Sequence, residues 1–161
     1  MDKITESKNE TAGLLQLVSF KIGREEFGID ILKVHEINRM LELTQVPNAP
    51  DFVAGIVNLR GRIIPVINLR KKLNLPDKNY DNNSRIVVVE LGGKITGFIV
   101  DEVSEVLRIP SSITEQPPEM VAGINSKFIT AIGKLEDRLL ILLDLDQILS
   151  NEETEGLKTV G

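Results

Sequence analysis

The chain matches itself. Val18-Ser19-Phe20-Lys21-Ile22-Gly23 aligns with Val87-Val88-Val89-Glu90-Leu91-Gly92. In the same register Gly28-Ile29-Asp30-Ile31 meets Gly97-Phe98-Ile99-Val100, Val34 meets Val103, and Glu36-Ile37 meets Glu105-Val106. Further on, Arg62-Ile63-Ile64-Pro65-Val66-Ile67-Asn68-Leu69 meets Arg138-Leu139-Leu140-Ile141-Leu142-Leu143-Asp144-Leu145, and Leu73 meets Leu149. Both copies read in the same order: hairpin, strand, hairpin, short helix. A repeat of this kind dictates architecture before any single motif does. Two copies of a small β-rich unit are expected, each of about five antiparallel strands closed into a barrel that leaves no exposed edge. Units this small gain stability by packing on each other. The matched residues are mostly apolar, and hydrophobic strands also match by chance. The expected fold is therefore mainly β, with two packed barrels over roughly residues 14–83 and 84–153 and short helices, one of them C-terminal. Whether strands cross between the barrels stays open.

Local signals agree. Residues 1–13 are polar and without period, as in a disordered tail, and residues 154–161 read as a flexible tail. Leu17 to Ile22 alternates, Gly23 to Glu26 turns, and Phe27-Gly28-Ile29 begins a second strand. Asp30 to Arg39 reads as a short turn and then a strand, which puts Val34 and Glu36 on one face. Leu69 to Leu75 fits a short helix ending before Pro76. Arg85 to Leu91, with four consecutive β-branched residues, reads as a fully buried strand, and Gly92-Gly93 as a hairpin turn. Strands follow over Ile95 to Val100 and Val103 to Ile109, then a proline-bearing loop over residues 110–128. A last hairpin turns at Glu136-Asp137, and Asp144 or Asp146 caps a helix from Leu145 to about Glu153.

One hairpin stands apart. Val57-Asn58-Leu59 and Ile63-Ile64-Pro65-Val66-Ile67 flank Arg60-Gly61-Arg62, so a tight turn holds cations beside a buried sheet. Packing has little use for long cations there. Two readings of Arg60 stand side by side: a bidentate contact to a partner carboxylate, or a pair within the protein with Glu36 or Asp51. The same surface carries Asn38, Arg39, Asn58 and Arg62.

Other chemistry finds little support. Net charge is −5, which disfavours a general nucleic-acid binder, because phosphate neutralisation needs a basic surface. The sequence has no Cys, so disulfides and thiolate sites are excluded, and a reducing cytoplasm suits it. It has one His, His35, and no Gly-x-Ser-x-Gly elbow to complete a triad. Gly92 to Gly97 lacks the Lys-Ser/Thr ending of a phosphate loop. Asp144-Leu145-Asp146 reads as a helix cap before it reads as paired carboxylates, and Arg70-Lys71-Lys72 as a solvated helix face. No apolar run is long enough to span a bilayer, and no signal peptide is expected. No catalytic residue, metal site or cofactor is expected.

Phe27 to Ile37, Val46-Pro47-Asn48-Ala49-Pro50, and Gly55-Ile56-Val57-Asn58-Leu59-Arg60-Gly61-Arg62-Ile63-Ile64-Pro65-Val66-Ile67-Asn68-Leu69 closely resemble the CheW-like family of chemotaxis coupling proteins. Val100 to Leu107 and Asp137 to Asp144 continue the resemblance, which covers roughly residues 15–153. It implies one domain over residues 14–153 built from two SH3-like five-stranded barrels. It implies no catalysis. It implies a cytoplasmic adaptor, associated with receptor arrays through its partners: the regulatory domain of the histidine kinase CheA and the cytoplasmic tips of methyl-accepting chemoreceptors. Neither nucleic acid nor membrane insertion is implied. Receptor contact is implied at Val34, Glu36 and Arg60 in a groove between the barrels, and Gly55 matches a position whose change disturbs coupling. Kinase contact is implied on apolar surface of both barrels, with no residue assigned. A regulatory or ligand-sensing module of another two-component pathway is the competing reading.

Overall fold

A computed structural model describes residues 13–118 and 128–148. The first hairpin is β1 (Leu14–Ile22) and β2 (Glu25–Asp30). A 3-10 turn (Ile31–Lys33) then leads into β3 (Val34–Arg39). β4 (Val53–Leu59) and β5 (Arg62–Asn68) form the second hairpin and run into α1 (Leu69–Lys72). The second half opens with β6 (Arg85–Leu91), β7 (Lys94–Val100) and β8 (Glu102–Pro110). After a 3-10 turn (Ser111–Ile113) come β9 (Thr114–Glu115), β10 (Ile129–Lys134) and β11 (Leu139–Leu143), then a 3-10 turn (Leu145–Gln147).

The strands form two sheets, ordered β8-β1-β2-β11-β10-β9 and β3-β6-β7-β5-β4. Each sheet closes on itself. β8 and β9 are successive stretches of one segment at opposite ends of the first order. In the second, the chain leaving β3 reaches β4, where Thr44 and Ile56 exchange both backbone hydrogen bonds at 2.9 Å. The molecule is thus two SH3-like barrels, one of six strands and one of five.

The barrels do not coincide with residues 14–83 and 84–153. The β1–β2 hairpin joins the barrel of β8–β11, and the β6–β7 hairpin joins that of β3–β5. The strands cross. A second expectation is corrected with it: the sheets are not wholly antiparallel. β5 runs parallel to β7 and β11 parallel to β2. These are the seams where an exchanged hairpin meets its host. A hairpin must return antiparallel to itself, but a hairpin docked from elsewhere is free of that constraint.

The duplication holds to the level of register. Val66 opposes Gly97 as Leu142 opposes Gly28. Asn68 donates its N–H to the Phe52 carbonyl at 2.8 Å, and its twin Asp144 donates to Phe128 at 2.9 Å. Bulges fall at the same places, between Val34 and Glu36 in β3 and opposite Ser19 and Phe20 in β8, and near Gly55 in β4 and Ala131 in β10.

Exchange puts the largest core between the barrels. Val18, Phe20, Ile22, Phe27 and Ile29 from one pack with Ile67, Leu69, Val87, Val89 and Phe98 from the other. Each such side chain, fully buried, contributes about 1.5–3 kcal/mol of transfer free energy. Smaller cores fill the barrels: Val57, Ile64, Val66, Ile86, Val88 and Ile99 in one, Leu17, Ile109, Leu140 and Leu142 in the other.

The helix expected over Leu69 to Leu75 is shorter, ending at Lys72. Asn68 caps α1 by accepting from the Lys71 N–H at 3.3 Å. The helix stops because Asn74 takes φ 59°, and the Leu75 N–H turns back to the Arg70 carbonyl at 2.8 Å. Asp144 caps the last turn, accepting from the Asp146 N–H at 3.0 Å. The tail expected over residues 1–12, the middle of the 110–128 loop, the helix expected beyond Ile148 and the tail expected over 154–161 lie outside the described residues.

Candidate functional site

Arg60 sits at φ 51° and Gly61 at φ 87°. Two successive positive φ angles make a two-residue turn whose twist matches the flanking strands. Asn58 locks it, its side-chain oxygen accepting the Gly61 N–H at 2.8 Å. An arginine in this region is costly, so the turn holds its side chain in a chosen direction at some expense of backbone energy.

That direction is toward Glu36. The guanidinium donates to both Glu36 carboxylate oxygens, and Asn38 Nδ2 donates to Oε2 at 3.2 Å. Arg60, followed by Asn38, holds the Glu36 carboxyl below its ordinary range, and the carboxylate in turn raises Arg60. The pairing within the protein is therefore made, and it is made with Glu36; Asp51 lies against Lys71 instead. The pair is still accessible: the Arg60 side chain is 71% exposed and the Glu36 side chain 24%. One terminal nitrogen engages Glu36, and a guanidinium carries further N–H donors for another acceptor.

Val34 does not share this face. Val34 opposes Val89, while Glu36 opposes Val88, and consecutive residues of β6 point to opposite sides. The bulge at His35 breaks the alternation on which the shared face depended. Val34 packs against the core between the barrels, and Glu36 rises at the mouth of the five-stranded barrel. His35 bridges the two regions through Glu90, its Nε2 lying 3.4 Å from Oε1. Glu90 also lines an inter-barrel cleft with Asp30, Lys33 and Asp146. The site is a strip along β3, not a single groove.

The mouth encloses about 360 Å³ above Leu59, Ile64, Val88 and Ile95, with Glu36, Arg60 and Arg62 on its rim. An apolar floor under charged edges suits a protein side chain or helix face.

Gly55 acts elsewhere. A Cβ there would lie 2.7 Å from the Thr44 carbonyl oxygen and 3.3 Å from Leu43 Cβ. Gly55 thus admits the strand crossing that closes the five-stranded barrel, and touches neither Arg60 nor Glu36. Asn38, expected on this surface without a role, holds Glu36, and Glu90 is the polar neighbour that the sequence did not single out. The repeat alignment places Glu90 opposite Lys21, a change of sign that marks it.

Among the described residues, no group of three or more His, Cys, Asp or Glu is placed to hold a metal ion, and no helix is long and apolar enough to cross a membrane.

The comparisons with known proteins agree with this architecture. A CheW-like domain is matched over residues 16–153. The chain is 39% identical over 150 residues to a chemotaxis protein CheW of Klebsiella aerogenes, covering 93% of this chain and 90% of that protein. It is 36% identical to a chemotaxis protein CheW of Helicobacter pylori, covering 86% and 84%. The crystal structure of the scaffolding protein TtCheW from Thermoanaerobacter tengcongensis superposes with a TM-score of 0.79 at 37% identity, covering 86% of this chain and 94% of that one. The chain belongs to the CheW-like family.

Proposed function

We propose that this chain is a non-catalytic chemotaxis adaptor that couples methyl-accepting chemoreceptors to the histidine kinase CheA within signalling arrays. It works in the cytoplasm and reaches the membrane only through its partners. The observation that carries this reading is the Arg60–Glu36 pair: a cation fixed in a left-handed turn, satisfied on one side and open on the other, above an apolar floor. A receptor helix lays aliphatic residues on that floor and a polar group against Arg60. Glu36 sets the direction of the guanidinium, and Val34 supports the strip from beneath. Gly55 influences coupling through barrel closure.

Exposed aliphatic side chains recur at twin positions, Ile37 with Val106 and Ile63 with Leu139, at 40%, 57%, 49% and 62% exposure. They supply apolar patches on both barrels for the kinase regulatory domain, apart from the receptor site.

Ternary reconstitution with the kinase and a receptor tip fragment tests the proposal. Kinase activity should depend on this chain, and the chain should form a stable complex with the kinase regulatory domain. Receptor control of the kinase that is the same with and without this chain would reject the adaptor role. Absence of the binary complex would favour a module of another two-component pathway.

A further inference from the structure

Arg62 lines the same mouth as Arg60, is exposed, and has no ion-pair or hydrogen-bond partner for its side chain among the described residues. Its twin in the other barrel shows what such a position can hold. Arg138 donates from Nε to Glu26 at 2.5 Å, from one terminal nitrogen to Glu105 at 3.2 Å, and from the other to Asp137 at 2.9 Å.

Two of those three carboxylates have no counterpart beside Arg62 and the third is engaged elsewhere. The twin of Glu26 is Ile95, which forms part of the apolar floor. The twin of Glu105 is Glu36, already engaged by Arg60. The twin of Asp137 is Gly61. The six-stranded barrel closes its own arginine with carboxylates, and the five-stranded barrel leaves the equivalent arginine beside an apolar floor.

Resting on the receptor reading above, we infer that Arg62 is a specificity-determining contact that takes a carboxylate from the receptor helix. The partner segment carries an Asp or Glu next to an aliphatic residue. The aliphatic side chain covers Ile64, Val88 and Ile95, and the carboxylate meets the Arg62 guanidinium on the rim beside them. Arg60 then serves as the anchored member of the pair and Arg62 as the one that reads partner charge.

The test is binding of a chemoreceptor cytoplasmic-tip fragment to wild-type chain and to Arg62→Lys, Arg62→Gln and Arg62→Glu, at low and high salt. Thermal melts report whether the folds are retained; they should be, because no buried group loses a partner. Arg62→Gln should weaken binding about three- to tenfold and flatten its salt dependence. Arg62→Glu should weaken it further, and Arg62→Lys should keep most of the affinity. Folded Gln and Glu variants that bind like wild type, with the same salt dependence, would overturn the assignment while leaving the receptor reading intact. A wild-type chain that does not bind the fragment at all would overturn both.

Discussion

Glu36 and Glu105 occupy the same place on the same bulged strand in the two barrels, yet one faces Arg60 from a tight turn and the other faces Arg138 from the bend just before β11. The paired strands and their bulges are common to both copies. Charge is where the copies part. One mouth is closed by its own carboxylates and the other keeps an apolar floor and an open cation, so the copies have divided the work of holding the fold and of meeting a partner.

The crossings between barrels differ in the same way. Where β7 passes into β8, Asp101 receives Arg70 at 2.6 and 3.1 Å and the Gly23 N–H at 2.7 Å. Where β2 passes toward β3, Lys33 reaches Asp146 at 2.8 Å. The first pair is largely shielded, at 13% and 16% exposure; the second stands open at 49% and 35%. Related positions thus carry one sealed tie and one solvated tie, with opposite polarity.

The largest expected effect breaks the symmetry of the bulges. Gly55→Val drives a side chain into the Thr44 carbonyl and should cost about 3 kcal/mol or more, whereas Ala131→Gly at the twin position should cost about 1 kcal/mol or less. Urea unfolding of both variants measures the contrast. Equal losses would mean that barrel closure does not depend on the Gly55 contact.

Next in size is Asp101→Asn, expected to remove about 1–3 kcal/mol, because it weakens a shielded, multiply bonded carboxylate. Burial pushes the Asp101 carboxyl upward, but the hydrogen bonds from Arg70 and Gly23 outweigh it and leave it below its ordinary value. A lowered folded pKa means that its stabilisation is complete above the unfolded carboxylate range and is lost as pH falls through the folded value. Stability should therefore fall as the pH drops below the ordinary carboxylate range, and the Asn variant should show a shallower fall. An unchanged acid profile would show that Asp101 does not tie the crossing.

Ser19, whose fully buried hydroxyl finds no partner among the described residues, has Val88 as its twin. Ser19→Val should stabilise by about 1 kcal/mol, read as a raised thermal midpoint. Destabilisation would show that the six-stranded barrel has no room for the methyl groups. The smallest effect belongs to the solvated tie: Asp146→Asn should change stability by about 0.5 kcal/mol or less. A loss as large as that of Asp101→Asn would refute the distinction between the two crossings.

Much of this was legible in the residues, and the misses have physical causes. Alternation and turn glycines located the hairpins within a few residues, because half-buried strands write a period of two into the chain. Exchange of hairpins was not legible. β1–β2 and β6–β7 are twins with similar apolar faces, so either barrel satisfies the pattern of either hairpin. The parallel seams followed from that exchange. The bulge at His35 was hidden for a different reason: an extra residue reverses which side chains share a face without changing composition. For Arg60, residue chemistry narrowed the choice to a partner or an internal carboxylate, and only geometry showed that it meets Glu36 and keeps donors free.

The most direct measurement is receptor-tip binding across a charge-exchange set: Arg60→Glu, Glu36→Arg, and the two combined, with binding to the kinase regulatory domain followed in parallel. Arg60→Glu should weaken receptor binding about tenfold or more with kinase binding near wild type, and the combined exchange should not restore receptor binding. A double variant that regains wild-type receptor affinity would show that the Arg60–Glu36 pair matters only to the protein itself, and the proposed receptor contact would be wrong.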